Sequence, residues 1–137
     1  MSLVLDASVT LAWILPGERT PAIEAVLETV VSSGAVVPEL WRIEVANILL
    51  VSVRRSRITH AYRDESLEDL NDLAITIDNE TSLHAWSDTL AFADKHSLTL
   101  YDAAYLELAH RLELPLATLD DDLRRAAERE KIPLLGT

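Results

Sequence analysis

Cysteine is absent from this chain of 137 residues, which removes disulfides and thiolate zinc sites from consideration. Any metal ion would have to be held by oxygen or histidine ligands. Glycine is scarce, three residues in all, so flexible spacers have little room, and no internal repeat or low-complexity tract appears. Basic residues are also few. Twelve Lys and Arg stand against 23 Asp and Glu, a formal net charge of −11. That balance argues against non-specific binding along a nucleic-acid backbone, which needs a positive surface. It suits a basic partner, a site that gathers cations, or simply an acidic surface. The opening "MSLVLDASVTLAWILPGE" has no basic leader and carries Asp6 inside its apolar stretch. It therefore reads as neither signal peptide nor membrane span, and implies the cytoplasm.

What is present suffices for a core. Hydrophobic residues make up 49% and charged residues 26%, and a chain of this size reads as one domain over 1–137, burying roughly 70% of its unfolded surface. Short apolar strands alternate with helices. Strands are expected at "LVLD" (3–6), "AVV" (35–37), "AITI" (74–77), "PLATL" (115–119) and "IPLL" (132–135). Helices are expected over 8–15, 20–33, 38–56, 59–73, 80–96, from Asp102 through "AAYLELA", and over 121–130. Pro21 and Gly34 bracket the second helix, and Thr59 is placed to cap the fourth. The alternation indicates an α/β fold, a mainly parallel sheet with helices on both faces.

Most acidic residues need no special account; Asp64, Glu65, Glu68, Asp69 and Asp72 follow helical spacing and read as a solvated face. Four others stand apart. Asp6 ends "LVLD" and Asp120 ends "LATLD", and ligand crevices of open parallel sheets lie outside the carboxyl ends of strands. Either residue could equally cap the next helix. Glu44 lies on or beside an apolar helical stripe, where a carboxylate needs a partner such as Arg42, access to water, or a metal. Asp102 opens a helix that is apolar almost all round apart from Glu107. A favourable helix dipole accounts for a first-turn acid, but not for one at the mouth of a buried helix. If the four converge, their repulsion calls for cations. Oxygen-only ligands select Mg²⁺ or Mn²⁺, and such a site activates water for in-line phosphoryl transfer.

The segments "LVLDAS", "VPELWRIEVANIL", "HSLTLYDAAYLELAHRLELPLATLDDDL" and the closing "PLL", in this order and spacing, resemble PIN-domain ribonucleases. The similarity is greater still to the VapC-like toxins of type II toxin–antitoxin modules. It covers essentially the whole chain. The resemblance implies a three-layer α/β/α sandwich around a mainly parallel sheet. It also implies a divalent-metal site that falls on Asp6, Glu44, Asp102 and Asp120, with Ser8 and Thr118 as supporting hydroxyls. It further implies Mg²⁺- or Mn²⁺-dependent endoribonuclease activity, in which a metal-activated water hydrolyses RNA phosphodiester bonds. The implied partners are an RNA substrate, a second copy in a homodimer, and a VapB-like antitoxin that inserts a basic side chain into the acidic site.

The negative charge predicts weak RNA binding unless basic residues offset it locally. Candidate phosphate contacts are Arg54, Arg55 and Arg57 in "VRRSR" and Arg124 and Arg125 in "DDLRRAA"; the first group equally suits a helix C-terminus. The histidines (His60, His84, His96, His110) are scattered, and His96 reads as structural or surface. Tyr105 is expected to pack beneath Asp102 or to touch substrate. A response-regulator receiver would need an acidic pair after the first strand, where "LVLDAS" has one acid, and only Asp78 and Lys131 remain for its other roles. A PIN-like binding module without activity and a DNA-directed nuclease are the closer alternatives.

Overall fold

The computed structural model describes residues 3–137. Five strands, β1 (Val4–Leu5), β2 (Ala35–Pro38), β3 (Ile75–Asp78), β4 (Leu116–Ala117) and β5 (Leu134–Leu135), form one sheet in the order β3-β2-β1-β4-β5. Every strand pair is parallel. β1 is central, with Val4 in register with Val36 on one side and Leu116 on the other. Leu3, Val4 and Leu5 are wholly buried. An unbroken apolar run, rather than an alternating one, is what a strand covered on both faces requires.

The helices are α1 (Ala7–Ile14), α2 (Pro21–Ser33), α3 (Trp41–Arg54), α4 (His60–Asn71), α5 (Thr81–His84), α6 (Leu90–His96), α7 (Leu100–Leu112) and α8 (Asp121–Arg129). α1 packs on α2 and α3, and α3 on α4, while α7 packs on α5, α6 and α8. With this strand order, the right-handed crossover rule for parallel strands assigns the first group to one face of the sheet and α7 and α8 to the other. The result is the expected α/β/α arrangement.

Local chemistry sets the helix ends. Thr20, Thr59, Thr99 and Asp120 each accept a bond from a backbone N–H three residues on, at 2.8–3.2 Å, which satisfies donors the first turn leaves free. Gly34 ends α2 at φ +76°, where an added Cβ would lie 2.8 Å from the Ala74 carbonyl oxygen. Only glycine fits there. The helix expected over 80–96 is divided: a π-helical turn, Ala85–Thr89, separates α5 from α6. Such a turn rotates the face that follows it, but the flanking helices, four and seven residues long, are too short for the sequence to show the change of phase. Trp86 in that turn is 93% exposed.

Topology fixes where a site can form. The chain leaves β1 toward β2 and β3, and leaves β4 in the opposite direction toward β5. The order therefore reverses between β1 and β4, and the crevice of such a sheet opens outside the carboxyl ends of those two strands. Asp6 follows β1 and Asp120 follows β4 at this point.

Candidate metal centre

Asp6 is the buried member of the site, 6% exposed. It stands at the start of α1, yet its side chain makes no capping bond there. Its Oδ2 instead accepts from Ser8 Oγ at 2.6 Å and from Thr118 Oγ1 at 2.7 Å. Ser8 Oγ in turn accepts from the Leu119 N–H at 2.9 Å, and Thr118 Oγ1 from the Asp120 N–H at 3.1 Å. The two hydroxyls thus bind the end of β4 to the end of β1. Burial raises the Asp6 carboxyl above its ordinary range, the two hydroxyl donors oppose this, and the charge of Asp120 adds to the rise.

Asp120 is half-buried and caps α8, its Oδ1 accepting from the Leu123 N–H at 2.8 Å. Capping and membership of the acid cluster are not exclusive, because its charge also acts on Asp6 and Asp102. Asp102 lies half-buried in the first turn of α7, with Thr99 capping below it. Burial, then the charges of Asp120 and Asp6, push its pKa to about 6.

Glu44, in the first turn of α3, does not pair with Arg42; its Oε1 accepts from Tyr105 Oη at 2.6 Å. Burial raises its pKa, the Tyr105 bond opposes this, and Asp6 and Asp102 add to the rise. Tyr105 is wholly buried, as expected of a residue packed beneath the acids, which leaves no room for the alternative of a substrate contact. The signal for its role was weak in sequence, since the two partners lie 61 positions apart.

The four carboxylates therefore come from four segments and share one electrostatic neighbourhood. Among the described residues, none of them forms an ion pair with Lys, Arg or His. Among the same residues, no group of three or more His, Asp or Glu side chains is arranged to hold a metal ion as it stands. The site is a shared negative field rather than a finished coordination shell. Its donor chemistry, carboxylates with hydroxyl support and no internal cation, fits a hard divalent ion.

Most of the other candidate residues are engaged in contacts of their own. Arg124 donates to the carbonyls of Thr118 at 2.6 Å and Leu135 at 3.1 Å, tying the ends of β4 and β5 together. Arg125 pairs with Asp122 on the surface. Arg54, Arg55 and Arg57 are exposed beyond or at the end of α3, and Arg57 reaches Glu18 at 3.5 Å. The His96 side chain is 2% exposed and bonds Glu130 at 2.6 Å, a structural role. Asp78, which a receiver would have phosphorylated, is engaged by Arg111.

Comparison with known proteins agrees with this architecture. The PIN domain family model matches residues 3–129. Ribonuclease VapC3 of Pyrobaculum aerophilum is 33% identical over 137 residues, covering 100% of this chain and 99% of that protein. Ribonuclease VapC3 of Mycobacterium tuberculosis is 36% identical over 89 residues, 65% of this chain and 62% of that one. Among solved structures, PAE2754 from Pyrobaculum aerophilum superposes with a TM-score of 0.68 at 22% identity, over 92% of this chain and 86% of that one. FitAcB from Neisseria gonorrhoeae gives 0.66 at 15% identity, over 96% and 95%; both likenesses bear on the fold. The chain belongs to the PIN-domain family and is homologous to the VapC3 ribonucleases.

Proposed function

We propose that this protein is a divalent-metal-dependent endoribonuclease, the toxin of a toxin–antitoxin pair acting in the cytoplasm. One observation supports the reading: Asp6 and Asp120 follow β1 and β4 at the switch point, Glu44 and Asp102 feel charge from this group, and among the described residues no Lys, Arg or His pairs with any of the four. Asp6, Glu44, Asp102 and Asp120 would hold Mg²⁺ or Mn²⁺. When bound, the cation offsets developing charge on the phosphoryl group and acidifies water for in-line attack.

The chain supplies placement. Ser8 and Thr118 fix Asp6 through its Oδ2, and the α8 cap fixes Asp120 through its Oδ1. Below about pH 6 protons compete for Asp102, so cation binding weakens as acid is added. The net charge of −11 leaves RNA recognition to shape and to specific contacts, and favours rapid capture of a basic antitoxin segment. A VapB-like antitoxin that places a basic side chain among the four acids would supply the missing positive charge. A homodimer completes the reading; Leu83, Trp86 and Leu90, exposed at 73%, 93% and 47%, give an apolar surface of the kind a second copy covers.

A second reading has one observation in its favour. Because no three acids among the described residues are arranged to hold an ion as they stand, a PIN-like module that only docks basic peptides shares the same pocket chemistry. One experiment separates these. Purified protein is incubated with structured RNA or with DNA in Mg²⁺, beside EDTA and Asp6→Asn controls. Cleavage of RNA by wild type in Mg²⁺ alone is expected. Equal cleavage in all three samples, or none in any, contradicts the nuclease reading, and cleavage of DNA alone redirects it. Light scattering on the same preparation should read twice the 15.2 kDa chain mass; a monomer mass contradicts the dimer.

A further inference from the structure

We propose that Tyr105 is a positioning residue for Glu44, and that α7 thereby sets two of the four acids at once. The inference rests on the reading of the cluster as a cation site. Tyr105 is wholly buried, and a buried tyrosine hydroxyl needs a partner. A backbone carbonyl would serve any purely structural purpose. The partner here is instead Glu44 Oε1 at 2.6 Å, on another helix.

The consequences follow from the donor count. A phenol has one proton to give, and at 2.6 Å from a carboxylate oxygen the hydroxyl is the donor. It occupies one oxygen of Glu44 and leaves the other, Oε2, without a hydrogen bond among the described residues. Glutamate is long and rotamer-rich, and no Arg or Lys pairs with Glu44 to hold it. The Tyr105 bond therefore selects which oxygen faces the cluster. Asp102 stands less than one turn earlier on the same helix, so a single rigid element orients its own acid and the acid delivered by α3. Partners of this kind typically govern about 10- to 100-fold in metal affinity.

The test is calorimetric titration of Mn²⁺ into wild type, Tyr105→Phe, Glu44→Gln and the double variant, below the melting temperature of each. The expected result is a loss of about 10-fold in affinity for Tyr105→Phe, and no further loss when it is added to Glu44→Gln. Unchanged affinity in Tyr105→Phe overturns the proposal, even if its melting temperature falls, since that is the signature of packing alone. Equal losses in both backgrounds overturn it too. No saturable heat in wild type would instead sink the cation site on which the proposal rests.

Wild-type protein with ¹³Cζ-labelled tyrosine gives a second readout that does not depend on the folding of the phenylalanine variant. Saturating Mg²⁺ should shift the Tyr105 resonance and leave that of Tyr62, which bonds the Ile14 carbonyl, in place. A Tyr105 signal that ignores Mg²⁺ in a protein that binds it contradicts the assignment.

Discussion

Helix α7 carries acids into two clusters that are built in opposite ways. Near its start, Asp102 joins Asp6, Glu44 and Asp120; burial and then neighbouring negative charge raise the pKa of Asp6, Glu44 and Asp102, and the four have no ion-paired cation among the described residues. Further along, Glu107 is 3% exposed, yet Arg111 one turn on bonds both its oxygens at 2.7 and 3.3 Å. The same guanidinium spans both oxygens of Asp78 at 3.2 and 2.8 Å. Glu80 and His84 stand at the rim, at 3.9 Å from Arg111 and 3.6 Å from Glu107. The second cluster brings its own positive charge and is complete. The first lacks one among the described residues, and this difference is what supports the proposal that it receives a charge from outside.

Breaking the complete cluster should give the larger effect. Arg111→Met removes the guanidinium that, alone among the described residues, contacts Glu107 and Asp78, and it strands their carboxylates in a largely buried setting. A loss of about 3 kcal/mol is expected by urea denaturation. A change below about 0.5 kcal/mol would mean that water already serves these acids.

Removing an acid from the open cluster should act the other way. The pKa of Asp102 is about 6 in the fold against 3.8 ordinarily. The folded state therefore holds a proton that the unfolded chain has released, so stability is highest below 3.8 and falls as pH rises through about 6. In EDTA at pH 7, Asp102→Asn should stabilise the protein by about 1 kcal/mol, reduced by solvent screening at this half-exposed group. The advantage should vanish below pH 4. Destabilisation at pH 7 would show that Asp102 is already compensated.

The two clusters were not equally legible in the sequence. Glu107 and Arg111 keep i,i+4 spacing, a pattern that can be read directly, but Asp78 enters only through the fold. The repeated phrase of apolar strand then aspartate marked Asp6 and Asp120, because strand ends in α/β sheets have a fixed meaning. The alternation of elements gave the layers. It did not give the strand order, which decides that β1 and β4 are the pair flanking the crevice. Tyr105 was visible as a buried aromatic, whereas its bond to Glu44 depends on how α3 and α7 approach. Arg124 looked like a phosphate contact because its exposure, and the carbonyls of Thr118 and Leu135 beside it, are set by packing alone.

The most direct measurement is calorimetric titration of Mn²⁺ into the wild type and Asp102→Asn at pH 7. The account predicts saturable heat in the wild type and affinity weakened at least about 10-fold in the variant. Heat of equal size and affinity in both proteins, or none in the wild type, would contradict the claim that the open acid cluster is a cation site.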